Sequence, residues 1–275
     1  MNAPALTRSA LYLPAANARA IAKAKGLACD MIILDLEDSV PLAEKPRARL
    51  AAVAATRDAA FAERWIGIRV NAAGTPGHDA DIAAVQASAA RFAVLPKAED
   101  AEIAASTAAA LGVPMFAMIE TPTAVFNARE IAAAPGICGL IAGMNDLAAA
   151  LRQPAQSGRG GLVLALQMIV LAARAAGLLA LDGVWNQLDD PAGLEAECAE
   201  GRNFGFDGKT LIHPNQIAIA NRLYGPSAAE LEDARAMVAA ATGGAERFRG
   251  RMIETMHVAA ARRLLAATDP TGERL

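Results

Sequence analysis

Short apolar runs alternate along the chain with longer, alanine-rich stretches of mixed polarity. Eight runs recur, at 10–14 (ALYLP), 31–38 (MIILDLED), 65–71 (WIGIRVN), 92–97 (FAVLPK), 114–121 (PMFAMIET), 137–146 (ICGLIAGMND), 178–184 (LLALDGV) and 209–214 (KTLIHP). Each is nearly continuous in apolar character, the pattern of parallel strands covered on both faces. Helices are predicted between them at 17–26, 41–60, 79–89, 100–111, 123–134, 160–177 and 191–201. The first opens at Asn17, a good N-cap, and stops at Gly26, a good C-terminal breaker. The runs repeat every 28 residues or so, about the length of a βα unit. Eight such units in about 250 residues are the size of a (β/α)8 barrel, so the predicted fold class is α/β, a TIM (β/α)8 barrel with a C-terminal helical extension. A doubly wound open sheet fits less well, because the first turn, LYLPAAN, is not glycine-rich.

The barrel is assigned to 1–225 and a C-terminal helical extension to 226–275. That extension reads as a helix at 227–241, a loop, a short segment RMIET and a final helix at 257–267. It is longer than barrel closure needs, and is expected to cap the barrel or reach a neighbouring subunit. The longest apolar stretch, 162–173, is interrupted by Gln167 and reads as a buried helix, too short for a membrane span.

Composition narrows the function. The 275 residues are 54% hydrophobic, enough for a large core. Lys and Arg total 26 against 29 Asp and Glu, a net charge of −3, and aromatics are 4%. No broad nucleic-acid footprint, base-stacking platform or polybasic membrane surface follows from that balance. Cys29, Cys138 and Cys198 are far apart and form no CxxC pair, so they read as buried, reduced thiols. With no secretory signal legible at the N-terminus, a cytoplasmic location is expected.

In barrel enzymes the chemistry sits where strands end. Those ends carry Pro14, Glu37 and Asp38, Arg69 and Asn71, Lys97, Glu120, Asp146, Asp182 and His213. Glu120 and Asp146 are expected to end adjacent strands, about 4.8 Å apart. Two carboxylates with open positions suit Mg²⁺, which takes oxygen ligands and keeps waters; they also suit a general acid and base. Arg69 ends the next strand but one and offers a planar fork for a carboxylate or an oxyanion. The turn Gly143-Met144-Asn145-Asp146 offers backbone N–H groups to a substrate. His213 reads as a hydrogen-bonding residue at the end of the last strand, and Asp182 and Lys97 as either supports of the site or structural groups. Arg8, Arg19, Lys23, Lys25 and Arg47 are either phosphate contacts or solvated helix faces.

Taken together, RSALYLP, MIILDLEDSVPLAEKPRAR, IRVN, LPKAED, MIET, GMNDL, LALDGV and LIHPNQI resemble the HpcH/HpaI aldolase superfamily. Within it they are similar to the citrate lyase β-subunit-like (CitE-like) branch, which includes malyl-CoA and citramalyl-CoA lyases. The resemblance runs in order over nearly the whole chain. It implies a Mg²⁺-dependent carbon–carbon lyase in which Glu120 and Asp146 hold the metal and Arg69 stabilises the enolate or keto acid. Glu37 and Asp38 would support metal waters or Arg69, with Glu120, Gly143, Met144 and Asn145 near the substrate. A homotrimer or homohexamer is implied, the tail of one chain lying over its neighbour's site. In that tail the family's acid/base Asp is replaced by Glu254, and its Pro by Met256. The implied reaction is retro-Claisen cleavage of a hydroxyacyl-CoA to a 2-keto acid and an acyl-CoA; with water, the same site is a thioesterase. Alternatives are an aldolase on free hydroxy-keto acids without CoA, and a citrate lyase β-type subunit working inside a complex.

Overall fold

The structure, a computed structural model, describes residues 6–62, 64–154 and 157–268. The predicted domain ends, 1–5 and 269–275, lie outside the described residues. The chain divides into two compact units, Thr7–Tyr224 and a second that includes residues 225–268.

In the first unit every predicted apolar run forms a strand. In chain order they are β1 (Ser9–Pro14), β2 (Met31–Asp35), β3 (Trp65–Arg69), β4 (Phe92–Leu95), β5 (Met115–Ile119), β6 (Ile137–Ala142), β7 (Leu179–Asp182) and β8 (Gly208–Leu211). They form a closed barrel in sequence order, every pair parallel, with β1 joined to β8 through Ser9↔Lys209. Helices flank it: α1 (Ala18–Ala24), α2 (Lys45–Thr56), α3 (His78–Gln86), α4 (Ala101–Leu111), α5 (Pro122–Phe126), α6 (Ala128–Ala133), α7 (Met144–Ala150), α8 (Val163–Ala175), α9 (Pro191–Phe204) and α10 (Ile217–Tyr224). The Asn17 side chain caps α1 by accepting from the N–H of Ala20, as the sequence predicts.

Strand periodicity sorts the core into two layers. Met31 and Ile33 of β2 point into the barrel with Ala10, Trp65, Phe92, Val94, Phe116, Met118, Ile141 and Leu181. Ile32 and Leu34 point outward with Leu11, Ile66, Ile68 and the helix faces. Trp65, Phe92 and Phe116 fill the interior as one aromatic group, their centroids 5.1–6.2 Å apart. The barrel is thus packed, not a pore.

Three readings of the sequence need correction. The run 137–146 is not one strand: β6 stops at Ala142, and Asp146 lies in the first turn of α7. The stretch 123–134 is two short helices, because the chain breaks at Asn127. The stretch 162–173 is not wholly buried, since Leu164 and Leu171 of α8 are exposed on the outer face of the ring.

The second unit holds α11 (Ala228–Ala240), an antiparallel hairpin of β9 (Glu246–Phe248) and β10 (Arg251–Ile253), and α12 (Thr255–Thr268). Ser227 and Glu230 form a capping box at the start of α11. Met237, Phe248, Ile253 and Ala261 make its own small core. No helix among the described residues is long and apolar enough to cross a membrane.

Candidate functional site

A cavity of about 430 Å³ opens at the C-terminal ends of the barrel strands. It is lined by Tyr12, Asp35, Asp38, Arg69, Glu120 and the turn Gly143–Asp146, among others. All of these belong to the first unit.

The interior parity of the strands explains who faces it. On β2, Met31 and Ile33 point inward, so Asp35 and, two residues on, Glu37 follow them. Trp65 places Arg69 by the same rule, and Met118 places Glu120. Arg69 donates through Nε to Asp35 Oδ1 at 2.6 Å and through Nη2 to Asp35 Oδ2 at 2.7 Å. Its Nη1 lies 2.8 Å from Glu37 Oε2. The predicted Arg69–Glu37 pair is present, but the two-pronged partner is Asp35, which reading the strand ends alone passes over. Asp38 is exposed on the cavity wall, and the acids that hold Arg69 are Asp35 and Glu37. Asp35 also accepts from the N–H groups of Glu37 and Ser39, which folds the loop after β2 back over the strand end. Lys45, from the conspicuous EK of that loop, donates to the carbonyls of Leu36 and Glu37 and to Asn71 Oδ1.

Lys97 follows β4 with φ +50, a left-handed conformation that a lysine adopts at a cost of the order of 1–3 kcal/mol. The turn aims its N–H at Glu120 Oε1, 2.6 Å away. Its Nζ is 3.2 Å from Glu37 Oε1 and 3.7 Å from Asp146 Oδ2. β5 and β6 are adjacent, with Ile119 level with Ala142, so Glu120 and the Gly143 turn stand side by side. Gly143 is required there: a Cβ would lie 2.3 Å from the Cβ of Glu120. No side chain caps the first turn of α7, which carries Asp146.

Electrostatically the site is unbalanced. Asp35, Glu37, Glu120 and Asp146 are four carboxylates around two cations, Arg69 and Lys97. Burial raises the Asp35 carboxyl, but the hydrogen bonds and charge of Arg69 overcome that and hold it below the usual carboxylate range. Glu37 is pushed up, mainly by burial. Glu120 is pushed up to about 7 by burial and by the charges of Glu37 and Asp146, with the Lys97 N–H opposing. A divalent cation beside Glu120 and Asp146 would offset this carboxylate excess. Among the described residues no group of three or more His, Cys, Asp or Glu side chains surrounds a common metal position. A cation there would have two protein carboxylates and otherwise water or substrate oxygens, the coordination Mg²⁺ favours.

Other predicted residues fall elsewhere. Asp182 points outward and is fully buried among Lys209, Arg159 and Tyr224. His213 caps the short turn Pro214–Gln216 by accepting from the Asn215 N–H. Arg8 is paired with Asp30 and Lys25 with Asp58, so neither is a free phosphate contact. Glu254 lies in the second unit, where its N–H donates to His257 Nδ1.

The sequence from 8 to 214 matches the HpcH/HpaI aldolase/citrate lyase family, and 161–270 matches a family described as C–C bond lyases of the TIM-barrel fold. A (3S)-malyl-CoA thioesterase of Cereibacter sphaeroides is 41% identical over 269 residues, 95% of this chain and 94% of the relative. A citrate lyase subunit β-like protein of Deinococcus radiodurans is 36% identical, over 97% of this chain and 99% of its own. Among solved structures, CitE of Mycobacterium tuberculosis in complex with magnesium, acetoacetate and coenzyme A superposes with a TM-score of 0.82. It is 35% identical, covering 95% of this chain and 98% of that one. The closed eight-stranded barrel agrees with these matches, and the chain belongs to the HpcH/HpaI aldolase/citrate lyase family.

Proposed function

We propose that this chain is a Mg²⁺-dependent carbon–carbon lyase that cleaves a hydroxyacyl-CoA of the malyl-CoA or citramalyl-CoA type. The products are a 2-keto acid and an acyl-CoA. The observation that carries the reading is the carboxylate excess at the mouth, with Glu120 pushed up to about 7 beside Asp146. Glu120 and Asp146 would hold the ion. When bound, Mg²⁺ supplies Lewis-acid polarisation of the substrate's carboxylate and hydroxyl oxygens.

The remaining work falls to side chains. Arg69, immobilised by Asp35, keeps N–H groups on Nη1 and Nη2 to meet an oxygen that gains negative charge. Lys97 holds Glu120 by its N–H and spans Glu37 and Asp146 by its ammonium. Gly143, Met144 and Asn145 would line the substrate's flank. As the carbon–carbon bond breaks, the substrate hydroxyl gives up its proton and its oxygen becomes the keto oxygen. The electron pair of the broken bond passes to the acyl-CoA carbon, which must then take a proton, so that the net change moves one proton from oxygen to carbon. We assign that proton to Glu254 of a neighbouring copy in a homotrimer or homohexamer, with the second unit as the contacting extension. Glu254→Ala should lower turnover by roughly 10²–10⁴, the range of general acid–base catalysis, while Glu254→Asp retains it.

A second reading is thioester hydrolysis, favoured by the 41% identical relative named a malyl-CoA thioesterase. One incubation with Mg²⁺ and (3S)-malyl-CoA separates the two. Cleavage gives glyoxylate, trapped as its hydrazone, with no new thiol. Hydrolysis gives malate and one free CoA thiol. Appearance of neither product, with Mg²⁺ bound, would reject both.

A further inference from the structure

Tyr12 lies on β1 at an interior position, two residues after Ala10, and packs against the barrel's inner cluster. It lines the cavity, and the Arg69 guanidinium carbon stands 4.9 Å from its ring centroid. Its hydroxyl oxygen is buried and has no hydrogen-bond partner among the described residues. Such an orphan is uncommon, because leaving a buried donor unpaired costs about 1–3 kcal/mol.

The neighbouring donors are already committed. The Nε/Nη2 edge of Arg69 belongs to Asp35, and Nη1 faces Glu37. The Thr210 hydroxyl donates to the carbonyl of Asp182, and the Asn145 amide exchanges hydrogen bonds with Asn186. Ser39 is exposed. Tyr12 therefore offers a buried, uncommitted hydroxyl in the cavity, under the arginine.

We propose that Tyr12 is a substrate-binding residue, its hydroxyl donating a hydrogen bond to an oxygen of the bound 2-keto acid or of the substrate portion that becomes it. This deepens the lyase reading and rests on it. The group acts as a donor and not as a base: burial raises its pKa well above the ordinary tyrosine value, with Arg69 opposing and Asp35, Glu120 and Glu37 adding to the rise. No proton leaves it during the reaction. Arg69 alone, with one edge locked, cannot grip a carboxylate through that edge, and Tyr12 supplies the missing contact.

The test is Tyr12→Phe in the full chain, with Mg²⁺ present and pyruvate, glyoxylate and oxaloacetate as probes in calorimetry. The expected result has three parts. Mg²⁺ affinity is unchanged, thermal stability is equal to wild type or higher, and the tightest-binding keto acid weakens about tenfold or more, the scale of a lost hydrogen bond to a charged group. A stable variant that binds the keto acid as well as wild type overturns the inference while leaving the lyase reading in place. So does a variant that loses thermal stability, whatever its affinity, because an unpartnered hydroxyl contributes no stability to the protein without ligand. If wild type binds Mg²⁺ and none of the three keto acids, the lyase reading fails and this inference fails with it.

Discussion

Two clusters of charge are held by the same barrel, one by β2 to β6 at its mouth and one by β7 and β8 on its outer side, and they are built to opposite ends. The outer cluster sits between the barrel and its helices. Asp182 and Lys209 point outward from β7 and β8 and meet Glu197, Arg159 and Tyr224. Asp182 and Glu197 face Lys209 and Arg159, so the buried charges are matched, with the half-exposed Glu200 adding an ion pair to Arg159 at the rim, and Lys209 is wholly buried yet has two anionic partners. Burial raises the Asp182 carboxyl, but Lys209 and Arg159 outweigh it and keep the group below the usual range. The mouth cluster has at least twice as many carboxylates as cations, and two of those carboxylates are pushed up. The difference teaches what each is for. A matched buried cluster holds the structure together; an unmatched one at a cavity is stable only in company with something that brings positive charge.

Substitutions can break this contrast. Glu120→Gln should remove Mg²⁺-dependent turnover by more than the 10²–10³ of a single lost electrostatic donor. Its melting temperature without metal should hold or rise, since a neutral amide suits that burial better than a carboxylate. Asp182→Asn should do the reverse. It strands Lys209 and Arg159 and should cost about 3–5 kcal/mol of stability, read in denaturant melts, with Mg²⁺ affinity preserved in the folded fraction. Equal behaviour of the two variants would erase the distinction. Arg69→Lys should lower kcat by about 10²–10³, because an ammonium cannot span both oxygens of Asp35 and still face the substrate. Near-full activity in that variant would make Arg69 a structural residue only.

Acidity sharpens the same contrast with a smaller effect. Glu120 has its folded pKa, about 7, above the ordinary value, so protonation favours the fold and its ionisation weakens the protein without metal as pH rises from about 4.5 to 7. Lys97, Glu37, Asp146 and Arg69 are the charges that face it. Mg²⁺ must displace that proton, so its affinity should climb about tenfold per pH unit up to about 7 and level off above. The rise in melting temperature on adding Mg²⁺ should therefore be larger at pH 8 than at pH 6. A flat response would mean that Glu120 is not a ligand. Asp182 has the opposite sign: its contribution is full above the ordinary aspartate pKa and is lost as pH falls through its depressed value.

Much of this was legible in the residues. All eight strands follow from apolar runs, because strands covered on both faces leave that mark whatever the loops do. Arg69, Glu120 and Glu37 follow from their place at strand ends. Asp35 did not, because it is inside the strand and looks like an interruption of MIILDLED; only the alternation from Ile33 shows that it turns inward. The same alternation would have sent Asp182 and Lys209 outward, away from the cavity. The run ICGLIAGMND reads as one strand ending at Asp146, but Asp146 lies on a helix, since the chain starts α7 at Met144 directly after Gly143. The left-handed turn at Lys97 left no trace, because lysine is not a residue that favours it.

The packed aromatic floor of the barrel has a kinetic consequence. Trp65, Phe92 and Phe116 close the interior beneath the cavity, so the site is a blind shaft with one door. In the proposed reaction the keto acid lies deepest, against the carboxylate pair and Tyr12, and the bulky thioester lies toward the opening. Departure must then be ordered, the last molecule in being the first out. The acyl-CoA leaves before the keto acid, and in the condensing direction the keto acid has to enter first.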